Sequence, residues 1–202
     1  MLNEPRMAHA PLRTIYGDFT IYVFSWSENE QDNVLALLPE VKTDSPLVRI
    51  QSACYTGEIF GSLDCDCHWQ LETSLVAIQK EGGVFVYMLR DGRGAGLLTK
   101  IRGMKLTASE EIDTADAYAR LGVPADPRDY EQAAYVLKFL GVKSLRLLTN
   151  NPRKVRGLVD QGLAVERVRL ESRPTHDNES YLRSKALKLG HLMKAFGTDI
   201  DP

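Results

Sequence analysis

From residue 67 onward the chain changes period, and that change constrains the fold more than any other feature. Leu71, Leu75 and Ile78 recur at helical spacing and stop at Gly82-Gly83, where a glycine beyond a helix end is expected. A continuous apolar run of strand length follows over 84–89. The alternation continues with helical patterns over 113–121 and 130–140 and a buried strand over 145–148. A helix over 151–161 has Pro152 near its first position, and a strand over 164–170 leads to an amphipathic helix over 179–193. Ahead of residue 67 the pattern is β-rich. Residues 13–24 alternate around Gly17-Asp18, predicting a hairpin turned there. Two further short strands are read over 34–38 and 47–50, parted by the polar stretch 42–46. Strands leading into a βαβα run predict an α+β or α/β architecture, a mixed β-sheet with flanking helices.

No repeat, low-complexity segment or linker divides the 202 residues, so a single domain over 1–202 is expected, with 1–12 and 195–202 as mobile ends. The net charge of −2 supplies no global basic field, which argues against nucleic acid as a partner. An anionic ligand must then be held by a local cluster of cations. No apolar stretch approaches the ~18 residues of a membrane span, and no secretory leader is evident, so a cytoplasmic address is expected.

The three cysteines, Cys54, Cys65 and Cys67, are the only ones in the chain and lie close together. An odd number leaves a disulfide framework unpaired. In a reducing compartment such clustering points to metal or catalysis. Three thiolates suit zinc and leave a fourth position open to water, as a catalytic site requires. Cys65-Asp66-Cys67 reads as a turn, since on a regular strand the two thiols would stand well apart. His68 could close the site as a fourth ligand, although adjacent residues reach one ion only with difficult geometry. The plainer alternative is three cysteines buried as small hydrophobes.

Two other segments have the character of an anion seat. Asp91-Gly92-Arg93-Gly94-Ala95-Gly96 follows a strand, and its glycines allow close backbone approach. Thr149-Asn150-Asn151-Pro152-Arg153-Lys154 runs from a strand into a helix N-terminus with a hydroxyl, two amides and two cations; an ordinary asparagine cap explains it nearly as well. Asp126-Pro127-Arg128-Asp129 precedes a helix and reads first as acidic residues favouring its dipole. His176 and His191 read as surface residues, His9 as part of a loose terminus, and Trp26 and Trp69 as core or edge aromatics.

Together these segments resemble the GTP cyclohydrolase II family of riboflavin biosynthesis, from about residue 17 to 192. The resemblance rests on Ser62-Leu63-Asp64-Cys65-Asp66-Cys67, Gly92-Arg93, Lys100-Ile101-Arg102 and Leu147-Leu148-Thr149-Asn150-Asn151-Pro152. It implies that Cys54, Cys65 and Cys67 bind one catalytic Zn2+ and that Mg2+ accompanies the triphosphate. It implies Arg128 as the nucleophile that displaces pyrophosphate and Asp126 as proton acceptor. Zinc-activated water would open the guanine imidazole ring at C8, and a second hydrolysis would release formate. Arg49, Gln70, Arg93, Thr114, Thr149 and Lys154 match positions that contact the nucleotide; Gln51, Ser52, Ala53, Asp91 and Gly92 flank them and join the expected substrate site. A homodimer is implied as well.

Several positions depart from the family pattern. Met104 stands where the family usually has a tyrosine that assists a water-dependent step at the imidazole carbon. A thioether donates no hydrogen bond and accepts only weakly, so Met104 implies a reaction that stops at the formylamino pyrimidine. Asp91 replaces a glutamate, Ala53 an acidic residue, Gln51 a histidine and Ala95 a larger aliphatic. The changes gather near the base, which also fits a related nucleotide or a non-catalytic zinc and nucleotide-binding protein.

Overall fold

The structure is a computed structural model that describes residues 2–41, 43–110, 112–124 and 128–199. Seven strands form one sheet: β1 (Arg6–Thr14), β2 (Gly17–Ser25), β3 (Val34–Leu38), β4 (Leu47–Ser52), β5 (Gly83–Met88), β6 (Ser144–Leu148) and β7 (Ala164–Val168), in the order β1-β2-β3-β5-β4-β6-β7. The β1-β2-β3-β5 side is antiparallel and the β5-β4-β6-β7 side parallel. The expected mixed sheet with flanking helices is what forms.

Of the parallel strands only β5 reads as an unbroken apolar run with both faces covered; polar residues interrupt β4, β6 and β7. On one face Val48, Ile50, Val84, Val86, Leu145 and Leu147 pack against Ala133, Val136 and Leu137 of α5 (Glu131–Phe139) and Leu158 of α6 (Pro152–Val159). On the other, Leu47 and Phe85 pack against Leu75 and Ile78 of α2 (Cys67–Glu81). Each aliphatic side chain fully buried in these layers contributes about 1.5–3 kcal/mol. The period of two then fixes something functional: Arg49 and Gln51 alternate with Val48 and Ile50, so they emerge on the α2 side.

β4 connects through α2 to β5 on one side, whereas β6 connects through α6 to β7 on the other. The strand order therefore reverses between β4 and β6, and open α/β sheets bind ligands beyond the carboxyl ends of strands at such a point. Above it lie α3 (Leu97–Glu110), α4 (Thr114–Arg120) and α7 (Glu179–Leu189).

The hairpin forms, but Ile15 and Tyr16 make its turn, with Thr14 paired to Gly17. Gly17 suits this place because its φ of 124 is one L side chains rarely adopt, and a Cβ there would also displace the end of the Gln79 side chain, 2.6 Å away. Residues 6–12 belong to the edge strand β1, and Asp199 is buried against Arg167 and Arg169 at 2.7 and 2.8 Å. The last helix stops at Leu189, capped by Gly190 in the left-handed region, short of residue 193. A four-residue helix, α1 (Tyr55–Glu58), occupies the loop after β4, where none was read. No helix among the described residues is long and apolar enough to cross a membrane.

Candidate metal centre and substrate cleft

The loop after β4 carries Cys54, which is the N-cap residue of α1, and returns to place Cys65 just before α2 and Cys67 in its first position. The turn expected at Cys65-Asp66-Cys67 is thus a helix N-terminus with Asp66 as its cap residue. The three Sγ atoms lie within 4.8 Å of one another, and Cys54 and Cys65 are 3.7 Å apart. Gly57 makes this convergence possible: a Cβ there would come within 2.7 Å of Cys65 Sγ and 3.3 Å of Cys54 Sγ. His68 faces Glu72 at 3.4 Å, outside the thiol cluster.

The electrostatics suit a cation. Hydrogen bonds from the Cys65 and Cys67 thiols, aided by Lys100, hold Cys54 far below the ordinary thiol range. The same contacts push Cys65 up to about 11 and Cys67 well above its usual value. Three thiols this close cannot all be anions unless a positive ion joins them. A tight trio of soft donors, with space beside it, fits zinc. The three cysteines are the one such group of potential ligands among the described residues.

Around the thiols the sheet delivers a buried polar network. Arg49 donates to Gln51 Oε1 at 2.8 Å and to the Leu148 carbonyl at 2.9 Å, and also bonds Gln70. Burial lowers its pKa to about 10, so it stays cationic. Gln51 donates to Glu58 at 2.8 Å, and Tyr87 also bonds that carboxyl group, whose pKa burial raises. Asp66 accepts from Gln70 at 2.6 Å, Ser172 at 3.2 Å and Lys185 at 3.0 Å. Burial opposes the Asp66 charge most, but Lys185, Arg49 and a backbone hydrogen bond together outweigh it and keep the pKa low.

A cleft of about 480 Å³ opens beside the thiols. Every described residue expected in the site lines it: Arg49, Gln51, Ser52, Ala53, Gln70, Asp91, Gly92, Arg93, Met104, Thr114, Arg128, Thr149 and Lys154, together with the three cysteines. Asp126 lies outside the described residues. Arg93 takes φ 54, the one non-glycine residue described in the left-handed region, at a cost of roughly 1–2 kcal/mol. Its guanidinium lies 5.7 Å from the Tyr118 ring centroid and 5.9 Å from that of Tyr181. Thr149 Oγ1 accepts from Asn151 N–H at 3.0 Å, Asn151 caps α6, and Lys154 donates to the Ile50 carbonyl at 2.7 Å. The plain reading of Asn151 as a helix cap is therefore right, and the cap stands at the cleft wall.

His191, read as a surface residue, is half-buried. It lines the cleft just beyond the Gly190 cap, and burial together with Lys185, Arg128, Lys154 and Arg93 lowers its pKa to about 2. Lys185 and Tyr181 on α7, Tyr118 on α4 and Glu58 were also not singled out. Nothing local marks them, because Lys185 meets Asp66 across 119 positions of chain.

A model of the GTP cyclohydrolase II family matches residues 5–169. The chain belongs to the GTP cyclohydrolase II family. Members are hydrolases acting on GTP. Among curated proteins, the riboflavin biosynthesis protein RibBA of Bacillus cytotoxicus is 46% identical over 185 residues, covering 90% of this chain and 46% of the relative. A RibBA of Bacillus cereus is 47% identical over 191 residues, covering 93% and 48%. The chain thus spans about half the length of these relatives. Among solved structures, a two-domain 3,4-dihydroxy-2-butanone 4-phosphate synthase from A. baumannii is 19% identical at a TM-score of 0.43, covering 85% of this chain and 42% of that one.

Proposed function

We propose that this chain opens the guanine imidazole ring of GTP by hydrolysis at C8, releases pyrophosphate and ends chiefly at the formylamino pyrimidine, as a step of riboflavin or related biosynthesis. The convergence of three thiols beside a cation-lined cleft, at the strand-order reversal of the sheet, carries the reading. Cys54, Cys65 and Cys67 would hold the zinc, which when bound supplies Lewis-acid activation of water. Mg2+ prefers oxygen ligands and would arrive on the triphosphate.

The chain's own groups divide the work. Arg49, Gln51 and Gln70 form a prearranged bonded set beside the thiols and orient the base. Lys154 and Arg93, with Thr149 and Thr114, hold the phosphates. Arg128 stands on the cleft wall to act on the phosphate that loses pyrophosphate, with Asp126 as its proton acceptor. Met104, also on that wall, neither donates nor accepts a proton, so the second hydrolysis lacks help from this position.

One observation favours an alternative course. Tyr118 lines the cleft, and its ring lies against Gly103, next to Met104. It is a second place from which a phenol could assist formate release. Mass analysis of the products of GTP with zinc and magnesium, with formate measured alongside, separates the courses. The expected result is ring-opened formylamino product with much less than one formate per GTP. Stoichiometric formate that disappears in Tyr118→Phe would replace that reading with the alternative. A chain that binds GTP but never consumes it, with or without Cys54→Ser, would sink both.

A further inference from the structure

Lys100 reaches the thiol centre from the first turn of α3. Its ammonium donates to Cys54 Sγ at 3.2 Å and lies 3.0 Å from Asp91 Oδ1. Asp91 is held in turn by the Tyr55 N–H at 2.9 Å and by the Gly92 N–H. Tyr55 directly follows Cys54, so one carboxylate ties together the thiol's own loop, the glycine turn and α3. The side chains of Asp91 and Lys100 are only 2% and 15% exposed, and hydrogen bonds so shielded from water are strong. The glycine turn closes onto the lysine stem: a Cβ on Gly92 would lie 3.3 Å from Lys100 Cβ.

Resting on the zinc reading above, we propose that Lys100 is a positioning residue that tunes the thiolate centre through Cys54, with Asp91 aiming its ammonium. Three thiolates donate more charge than a dication needs and leave it a weak Lewis acid. An ammonium bonded to one sulfur draws density from that ligand, so more of the metal's charge is left to act on water. Asp91 supplies orientation, since its own charge is engaged by two backbone N–H groups. The three cysteines are therefore not equivalent, and Cys54 is the one whose donation is tempered.

The test compares wild type with Lys100→Met, Lys100→Gln and Lys100→Arg. Each protein is loaded with cobalt(II) to record the thiolate-to-cobalt charge-transfer band, and its zinc affinity is measured by chelator competition. The band should move to longer wavelength in Lys100→Met and Lys100→Gln and stay near the wild-type position in Lys100→Arg. Zinc affinity should fall about 10–100-fold in Lys100→Met, the usual range for losing such a partner, because the ammonium also offsets the net negative charge of three thiolates on a dication and that loss outweighs the stronger Cys54 donation. An unchanged band and unchanged affinity in Lys100→Met would overturn the assignment. Should that variant fail to fold by circular dichroism, identical bands in Lys100→Gln and Lys100→Arg would overturn it equally. A wild-type protein with no charge-transfer band would refute the zinc reading itself, a separate failure.

Discussion

Met104 presents a thioether to the cleft, 37% exposed, on a helix that also carries Lys100. If the missing phenol limits the second hydrolysis, Met104→Tyr should raise formate released per GTP opened several-fold. GTP consumption should change little, since ring opening precedes the affected step. An unchanged formate-to-GTP ratio would remove Met104 from the account. The cysteines and the cations of the cleft wall were legible at this scale, because thiols are rare and their spacing is chemically restrictive. Gly57 was not, and although Asp66 and Lys100 stand in the motifs that carry the resemblance, their roles were not legible either. Their importance lies in what they touch, and only folding brings Gly57 against Cys54 and Cys65 or Lys100 against Cys54, 46 positions away.

Among elements, the β4–β5 pair matters most, because both strands deliver site residues at their carboxyl ends. Gly83 opens β5 at φ 149, and a Cβ there would lie 1.9 Å from the Leu47 carbonyl oxygen. Gly83→Ala should therefore destabilise by at least about 2 kcal/mol, combining backbone strain with a clash against a ladder group. Chemical denaturation reads this directly, and a loss under about 0.5 kcal/mol, the usual effect of a surface change, would contradict it. Strands and helices over 34–170 were largely legible, since their apolar periods answer to a two-sided core. The hairpin turn was misplaced for a tertiary reason. Tyr16 donates to Glu72 on α2 at 3.0 Å and Thr14 accepts its N–H at 3.0 Å. The turn is thus held by docking, which outweighs the local preference for glycine and aspartate.

Across the whole molecule, α7 folds back over the cleft and brings His191 among cations from three other parts of the chain. Unfolded, this imidazole titrates near 6.5; folded, burial and those cations hold it at about 2. Between these values unfolding takes up a proton, so stability is full above 6.5 and declines as pH falls toward 2. His191→Asn should flatten that acid limb in melting temperature measured against pH. An identical slope in both proteins would show that the imidazole does not contribute. Reading the sequence as one strip misjudged this residue, because its surroundings are assembled from distant segments.

The ion pair between Lys185 and Asp66 has a wider consequence. Asp66 lies between two of the three thiols, its side chain 2% exposed, and Lys185 comes from α7, beyond the span matched by the family model. The final segment is therefore not an appendage to a self-sufficient core. It supplies the counter-charge that makes burial of Asp66 tolerable, and severing it would leave an anion stranded beside the three thiols. If the thiols hold the proposed metal, its retention and the order of this segment are thermodynamically reciprocal, so whatever loosens one weakens the other.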